Sequence, residues 1–201
     1  MTEVVIDTNV LLVADGLHED VSVECHSACV ERLQEIKASG TVVIDDEYRI
    51  LLEYQNKLSA HKVRGAGSAF LKWLLQNAAN PNRVAQVHLT ETQENTFAEF
   101  PVAELAQHFD PSDRKFPAVA NAHPAKPPIL QATDSKWLKW WQELAEKDIQ
   151  VEFLCPGDIC RFFAKKFPQE DRPEFPATTL FPEAAFPAAA LFSEEIGPNL
   201  S

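Results

Sequence analysis

Short apolar runs rich in β-branched residues recur along the chain and predict the strands of one sheet. Residues 4–6 and 41–44 are apolar at nearly every position, which is typical of parallel strands that are covered on both faces. Further strands are predicted at 83–89, where apolar and polar residues alternate as in an edge strand, at 129–134 and at 149–154. The pattern therefore predicts a mainly parallel central sheet of about five strands.

Apolar residues at helical spacing predict helices between these strands. A short helical turn is predicted at 10–14, and longer helices at 22–38, 48–58, 69–78, 135–147 and 156–166. The stretch at 90–108 is ambiguous, and Phe100-Pro101 within it is expected to begin a loop that leads into a helix near Asp110. Strands that alternate with helices are typical of α/β folds, so the predicted fold class is α/β.

The character of the sequence changes at residue 167. Residues 167–201 contain six prolines and five phenylalanines, and the pair Phe-Pro recurs at 167, 175, 181 and 186 with irregular spacing. Proline removes backbone donors and favours extended segments, whereas phenylalanine favours burial. We therefore predict a domain at 1–166 followed by an irregular, acidic Phe/Pro-rich arm at 167–201, whose phenylalanines pack on the domain or on a partner chain.

Acidic residues follow two of the predicted strands. Asp7 ends the first strand, and Asp134 ends the strand that begins near residue 129. Ligands of open α/β sheets bind at the carboxyl ends of the strands, so both side chains are candidates for a site. Taken alone, Asp7 is equally well explained as the N-cap of the helical turn that follows it.

Two more acids are predicted to lie on helices that follow loops. Glu53 is on the helix after the second strand, next to its apolar face. Asp110 and Pro111 suit the N-cap and the first residue of a helix, and this structural role leaves Asp113, one turn further on, as the better candidate ligand.

These features together resemble the PIN-domain nucleases, a family of metal-dependent ribonucleases that includes the bacterial VapC toxins. The resemblance rests on Val-Ile-Asp-Thr-Asn-Val-Leu at 5–11, Glu53-Tyr54, Asp-Pro-Ser-Asp at 110–113 and the strand end at 129–134, and it covers about residues 1–160. It implies a three-layer α/β/α sandwich, a catalytic and metal-binding quartet and two auxiliary polar groups. The quartet would be Asp7, Glu53, Asp113 and Asp134, with Asn9 and Asp110 as the auxiliary groups.

Two positions depart from the family pattern. Ala132 stands where the family often has threonine two residues before its last acid, and Lys136 stands where a further acid is frequent. Both departures bear on a second metal ion, and neither removes a member of the quartet.

Converging carboxylates require a cation, because like charges disfavour the ionised form of one another. Oxygen ligands without His or Cys suit Mg²⁺ or Mn²⁺, and such an ion activates water for in-line attack on a phosphodiester. The resemblance thus implies cleavage of single-stranded or structured RNA to products with a 5′-phosphate and a 3′-hydroxyl. Four basic residues are weaker candidates for phosphate contacts, with a solvated loop as the alternative for the first three: Lys57, Lys62, Arg64 and Arg114.

The formal net charge of −12 opposes nucleic-acid binding. Part of it comes from the arm, which has six acids against one base, and part from the proposed ligands. Two alternatives stay open. One is a non-catalytic PIN-like interaction module that binds a partner through the arm. The other, less favoured, is a different phosphoryl-transfer enzyme, because neither a Gly-rich loop nor Asp-x-Asp follows the first strand.

Partners and location are predicted from the same evidence. An antitoxin, another protein partner and a homodimer all stay open. No apolar run is as long as a membrane span, and the N-terminus has no basic segment before an apolar one, so we expect a cytoplasmic protein without membrane contact.

Four cysteines and a cluster of tryptophans have structural explanations. Cys25, Cys29, Cys155 and Cys160 match no common zinc spacing and are expected to be reduced, buried thiols. The tryptophans at 137, 140 and 141 lie at helical spacing, which favours core packing over a platform for stacking bases.

Overall fold

The computed structural model describes residues 2–18, 20–59, 65–171 and 174–179. Helices alternate with short strands along most of this length, and two 3-10 turns, Pro111–Asp113 and Ser135–Lys139, precede helices. In chain order the elements are β1 (Glu3–Ile6), α1 (Thr8–Ala14), α2 (Val23–Ser39), β2 (Thr41–Asp45), α3 (Arg49–Ser59), α4 (Ala66–Asn77), β3 (Val84–Val87), β4 (Glu91–Gln93), β5 (Thr96–Phe97), α5 (Ala103–Ala106), α6 (Lys115–Ala122), β6 (Ile129–Gln131), α7 (Trp141–Ala145), β7 (Val151–Phe153) and α8 (Pro156–Lys166).

Five strands form one parallel sheet in the order β3-β2-β1-β6-β7. The chain runs outward from β1 through β2 to β3 and then returns to the other side of β1 through β6 and β7. Val4 is aligned with Val42 of β2, and Ile6 is aligned with Leu130 of β6. The order therefore reverses between β1 and β6, and this switch point is where open α/β sheets form a ligand crevice.

The central strands are buried because helices cover the sheet. The strand residues 4–6 and 42–44 are fully buried and belong to one continuous hydrophobic core. Helices α1, α2 and α4 pack together, and α6 packs against β1 and β2. The sequence prediction of an α/β fold with a mainly parallel five-stranded sheet flanked by helices is thus confirmed.

The stretch before Asp110, which the sequence left ambiguous, contains a small hairpin and the short helix α5. Strands β4 and β5 form a small antiparallel pair there, apart from the main sheet. Arg114 links this hairpin to the following segment, because its guanidinium donates to Thr96 Oγ1 at 3.1 Å and to the Phe109 carbonyl at 3.3 Å. All three residues of β4 are exposed, and β5 has one half-buried and one buried residue. So few buried positions explain why the hairpin has a weak sequence pattern.

The predicted helix at 135–147 is divided into the 3-10 turn Ser135–Lys139 and the short helix α7. Side chains three residues apart in a 3-10 turn lie above one another. Trp137 and Trp140 therefore both contact the ring of Phe109. The Phe109 ring lies 5.2 Å from the Trp137 ring and 4.1 Å from the Trp140 ring, centroid to centroid. Both indoles are buried, which confirms their predicted role in core packing.

The prediction of reduced cysteines is wrong for one pair. Cys25 on α2 and Cys155 at the start of α8 form a disulfide, with their Cα atoms 5.0 Å apart across a sequence separation of 130 residues. The Cys29 thiol is fully buried beside them, and burial raises its pKa to about 12. Spacing along the chain did not indicate this pairing, because it arises only when α2 packs against the segment that links β7 to α8.

The described part of the arm packs on the domain. The Phe175 ring lies 5.5 Å from the Phe153 ring, and the Phe167 ring lies 4.9 Å from the Phe163 ring. Both contacts agree with the expectation for these two phenylalanines, and residues 180–201 lie outside the described residues. Within the described ranges no helix combines the length and the apolar character that a membrane crossing requires.

Candidate functional site

Asp7 lies at the carboxyl end of β1, beside the switch point of the sheet. Its backbone N–H donates to the Leu130 carbonyl at 3.0 Å, which ties it to β6. Its carboxylate accepts the Asn9 N–H at 2.8 Å and so caps α1, and the residue is only 2% exposed. Asp7 therefore has the capping role that the sequence left open, and its carboxylate is also buried where a ligand is expected.

Asp134 lies beside Asp7 because Gln131 folds the chain after β6. The Gln131 side-chain carbonyl accepts the N–H groups of Ala132 at 2.7 Å, Thr133 at 3.1 Å and Asp134 at 3.3 Å. The Asp134 carboxylate then accepts the Lys136 N–H at 3.0 Å.

Gln131 is a positioning residue that sequence reasoning missed. It is fully buried, and its side-chain nitrogen has no hydrogen-bond partner among the described residues. A buried amide nitrogen without a partner is costly, and a role in a functional site is one of the explanations for such a group. The available signal was a polar side chain inside an otherwise apolar strand.

Glu53 is held at the site from two sides. The Thr8 hydroxyl donates to Glu53 Oε1, and Lys115 Nζ lies 2.5 Å from Glu53 Oε2. The neighbouring Tyr54 is fully buried and donates to the Ile6 carbonyl, which fixes α3 against β1. The first turn of α1 and the start of α6 therefore meet at this carboxylate.

Asp113 completes the group from the 3-10 turn before α6. Burial, together with the nearby carboxylates of Asp134 and Asp110, raises the pKa of Asp113 to about 6. The pKa of Asp7 is raised well above its usual value by burial and then by Asp113, Asp134 and Glu53. These shifts require that all four acids lie near one another, although they come from four separate segments of the chain.

Asp110 lies at the edge of the group and is already paired. Its Oδ1 caps the turn by accepting the Ser112 N–H at 3.2 Å, and its Oδ2 lies 2.6 Å from Lys136 Nζ. The bond from Lys136 lowers the pKa of Asp110, although partial burial opposes this. Lys136 therefore neutralises a neighbouring carboxylate.

The carboxylate oxygens of the quartet lie farther apart than the ligand atoms around a bound metal ion. Across the described ranges, only a group of cysteines places three ligand atoms within 4.8 Å of one another, and the acids do not. Glu53 is already held in an ion pair with Lys115. Mutual repulsion between ionised carboxylates favours a wide spacing.

The predicted basic contacts have different positions. Lys57 is exposed one helical turn after Glu53. Arg114 is half-buried and directs its guanidinium to the hairpin contacts described above, and Lys62 and Arg64 lie outside the described residues. Their roles in binding a substrate stay predictions.

The donor set suits a hard divalent cation. Two lysines accompany five carboxyl groups, so the formal charge is −3 when all of them are ionised. A site of this charge attracts a cation and repels a phosphate until a cation is bound. The set comprises Asp7, Glu53, Asp110, Asp113, Asp134, Lys115 and Lys136.

The candidate site thus joins residues from both sides of the point where the strand order reverses. Asp7 follows β1 and Asp134 follows β6, while Glu53 and Asp113 approach from α3 and from the turn before α6. Comparisons of the chain with protein-family models, with curated proteins and with solved structures found no match.

Proposed function

We propose that the protein is a PIN-like, metal-dependent endoribonuclease that uses Mg²⁺ or Mn²⁺. The observation that carries the proposal is the convergence of four acids at the sheet's switch point, where burial and mutual repulsion raise the pKa values of Asp7 and Asp113. Perturbed carboxyl groups in a crevice are typical of functional sites. The strand order, with helices around a parallel sheet, is compatible with a PIN-like three-layer sandwich.

The quartet would hold the cation through carboxylate oxygens, directly or through water. Asp7 and Asp113 are the strongest candidates, because Asp7 is buried, Asp113 is partly buried, and a cation offsets the cost of ionising them there. Asp134 and Glu53 complete the set. When bound, the cation would polarise a phosphoryl oxygen of RNA and lower the pKa of the attacking water.

The other residues of the site would position this set. Gln131 shapes the turn that presents Asp134, and Thr8 orients Glu53. Lys115 shares the Glu53 carboxylate, so it reduces the negative charge that an RNA phosphate meets. Asn9 lies one residue beyond Thr8, half-buried at the start of α1, and would contact a ligand or the substrate.

Cleavage of single-stranded RNA by the purified protein tests the proposal. We expect slow cleavage with Mn²⁺ or Mg²⁺ and none with EDTA, and products with a 5′-phosphate. Asp7→Asn and Asp113→Asn should each abolish cleavage while the fold persists, because asparagine keeps the hydrogen-bonding shape but loses the charge.

Asp45→Asn is the matched control. Asp45 is buried at the end of β2 and caps α3 by accepting the Arg49 N–H at 2.8 Å and the Ile50 N–H at 3.0 Å. Asparagine keeps one of these two acceptors and leaves every acid of the quartet in place, so the folded variant should cleave RNA like the wild type although it should melt lower. Equal cleavage by the wild type and Asp7→Asn would remove the quartet from the mechanism.

A non-catalytic PIN-like interaction module is the second candidate. Two observations favour it. Lys115 already pairs with Glu53, and the carboxylate oxygens lie farther apart than the ligand atoms of a closed metal shell. Lack of both metal binding and cleavage would support it. If cleavage is found, a small neighbouring reading frame whose product inhibits the protein would extend the proposal to the toxin of a toxin–antitoxin pair.

A further inference from the structure

Three of the four cysteines form a buried cluster away from the carboxylates. Cys25 and Cys29 lie one turn apart on the same face of α2, and Cys155 immediately precedes α8. Their exposures are 3%, 0% and 3%, and their three sulfur atoms lie within 4.8 Å of one another. Because the sulfurs come from two packed elements, the cluster is held in place by the fold.

A cavity of about 1080 Å³ leads to this cluster. It is lined by Cys25 and Cys155, by Phe153 and Leu154 of the preceding segment, and by Pro156. Small solutes in this cavity therefore lie next to two of the three cysteines, although the cysteines expose little surface. Cys29 lies deeper, with its sulfur 3.8 Å from Cys155 Sγ.

We propose that Cys25, Cys29 and Cys155, once reduced, bind one thiophilic ion of the class Zn²⁺, Cd²⁺ or Cu⁺. Thiolate sulfur selects such soft ions over Mg²⁺ and Mn²⁺. The distance from Cys29 Sγ to Cys155 Sγ already equals the separation of two sulfurs on a tetrahedral zinc ion, about 3.8 Å for Zn–S bonds of about 2.3 Å.

The disulfide between Cys25 and Cys155 is the form that cannot bind the ion, because neither sulfur can become a thiolate while the S–S bond is intact. A phosphine reductant opens it in a balanced reaction. The phosphine gains an oxygen atom from water, its two electrons cleave the S–S bond, and the two protons of water end on Cys25 and Cys155. Binding of the ion then releases protons from the three thiols, so the affinity falls at low pH.

The cysteine cluster and the carboxylate site differ in the ions they select. The cluster offers only sulfur, and the quartet offers only oxygen, so a soft ion and a hard ion distinguish them. The inference is independent of the proposed nuclease activity, and its failure would leave that proposal unchanged.

Titration of the reduced protein with Cd²⁺ tests the inference. The protein is reduced with a phosphine, which does not compete as a thiol ligand, and is freed of metal before titration. We expect one equivalent of Cd²⁺ to bind with an ultraviolet thiolate-to-metal charge-transfer band, and the oxidised protein to show no such band. Asp7→Asn should leave the band unchanged.

Cys29→Ser is the decisive variant, because it removes one ligand and leaves the disulfide pair in place. Loss of a group in the outer shell of a metal site alone weakens binding by about 10–100-fold, so loss of a ligand should weaken it at least as much. Cys160→Ser, on the neighbouring α8 helix but outside the cluster, should bind Cd²⁺ like the wild type.

Two results would overturn the inference: no charge-transfer band in the reduced wild type, or equal Cd²⁺ affinity in Cys29→Ser and the wild type. Circular dichroism checks that each variant is folded. If Cys29→Ser does not fold, the comparison of reduced and oxidised wild type decides alone. Binding that persists in the oxidised protein then contradicts the site, and binding confined to the reduced protein supports it.

Discussion

Removing one carboxylate should stabilise the protein when no cation is present. Burial, with help from Asp134 and Asp110, raises the pKa of Asp113 from 3.8 to about 6. A raised carboxyl pKa means that the folded state holds the proton more tightly than the unfolded chain does. The folded state is therefore penalised when Asp113 is ionised. This penalty is absent below about pH 4, builds up as the pH rises to about 6, and is complete above that range.

The size of the penalty follows from the shift. Each pKa unit corresponds to about 1.4 kcal/mol, so ionised Asp113 costs the folded state on the order of 3 kcal/mol at pH 7. Asp113→Asn removes the charge and keeps an oxygen that can accept the Ser112 hydroxyl, as Asp113 Oδ1 does at 3.2 Å. In a domain of this size a gain of 1 kcal/mol raises Tm by roughly 2–4 °C, so the variant should melt several degrees higher.

Thermal melts from pH 4 to 8 measure the effect. In EDTA the advantage of Asp113→Asn over the wild type should be small at about pH 4, about half complete at about pH 5 and nearly constant above about pH 7, because the penalty builds up between the unfolded and the folded pKa. Mn²⁺ at a hundredfold excess over its dissociation constant should cancel most of this advantage, because a ligand that binds only the folded wild type then stabilises it by about 2.7 kcal/mol; a thousandfold excess, worth about 4.1 kcal/mol, should reverse the order. An Asp113→Asn protein that melts no higher than the wild type in EDTA at pH 8, together with a wild type indifferent to Mn²⁺, would refute the reasoning.

Two further stability predictions concern the neighbours of the quartet. Lys115→Met should lower the free energy of unfolding in EDTA by on the order of 3 kcal/mol, since it leaves the half-buried Glu53 among like charges. In a urea melt the double variant with Glu53→Gln should recover most of this loss. An unaffected single variant would contradict the pairing. Gln131→Leu should lower the free energy of unfolding by on the order of 2 kcal/mol, because three backbone N–H groups lose their acceptor. It should also reduce the rise in Tm that Mn²⁺ produces. A variant that loses stability but keeps the full response to Mn²⁺ would limit Gln131 to a structural role.

Local sequence determined much of the fold, because the information lies in short stretches. The apolar runs of β1 and β2 and the alternation of strands and helices indicated a parallel sheet, since only strands covered on both faces are apolar throughout. The acids that follow β1 and β6 could be placed at one edge, because the carboxyl ends of parallel strands meet at the same edge of a sheet. The short hairpin at residues 91–97 was missed, because its strands carry too few buried positions to create a pattern.

Contacts between distant segments were decided by the tertiary structure alone. The pairing of Lys115 with Glu53, the fold of the Asp134 turn around Gln131 and the meeting of Cys25 with Cys155 join residues from different elements. No periodicity of the chain encodes such a contact, since it depends on how elements pack after they form. The sequence thus determined which acids are available at the edge of the sheet, and packing determined which are buried, which are neutralised by a lysine and which sulfurs meet.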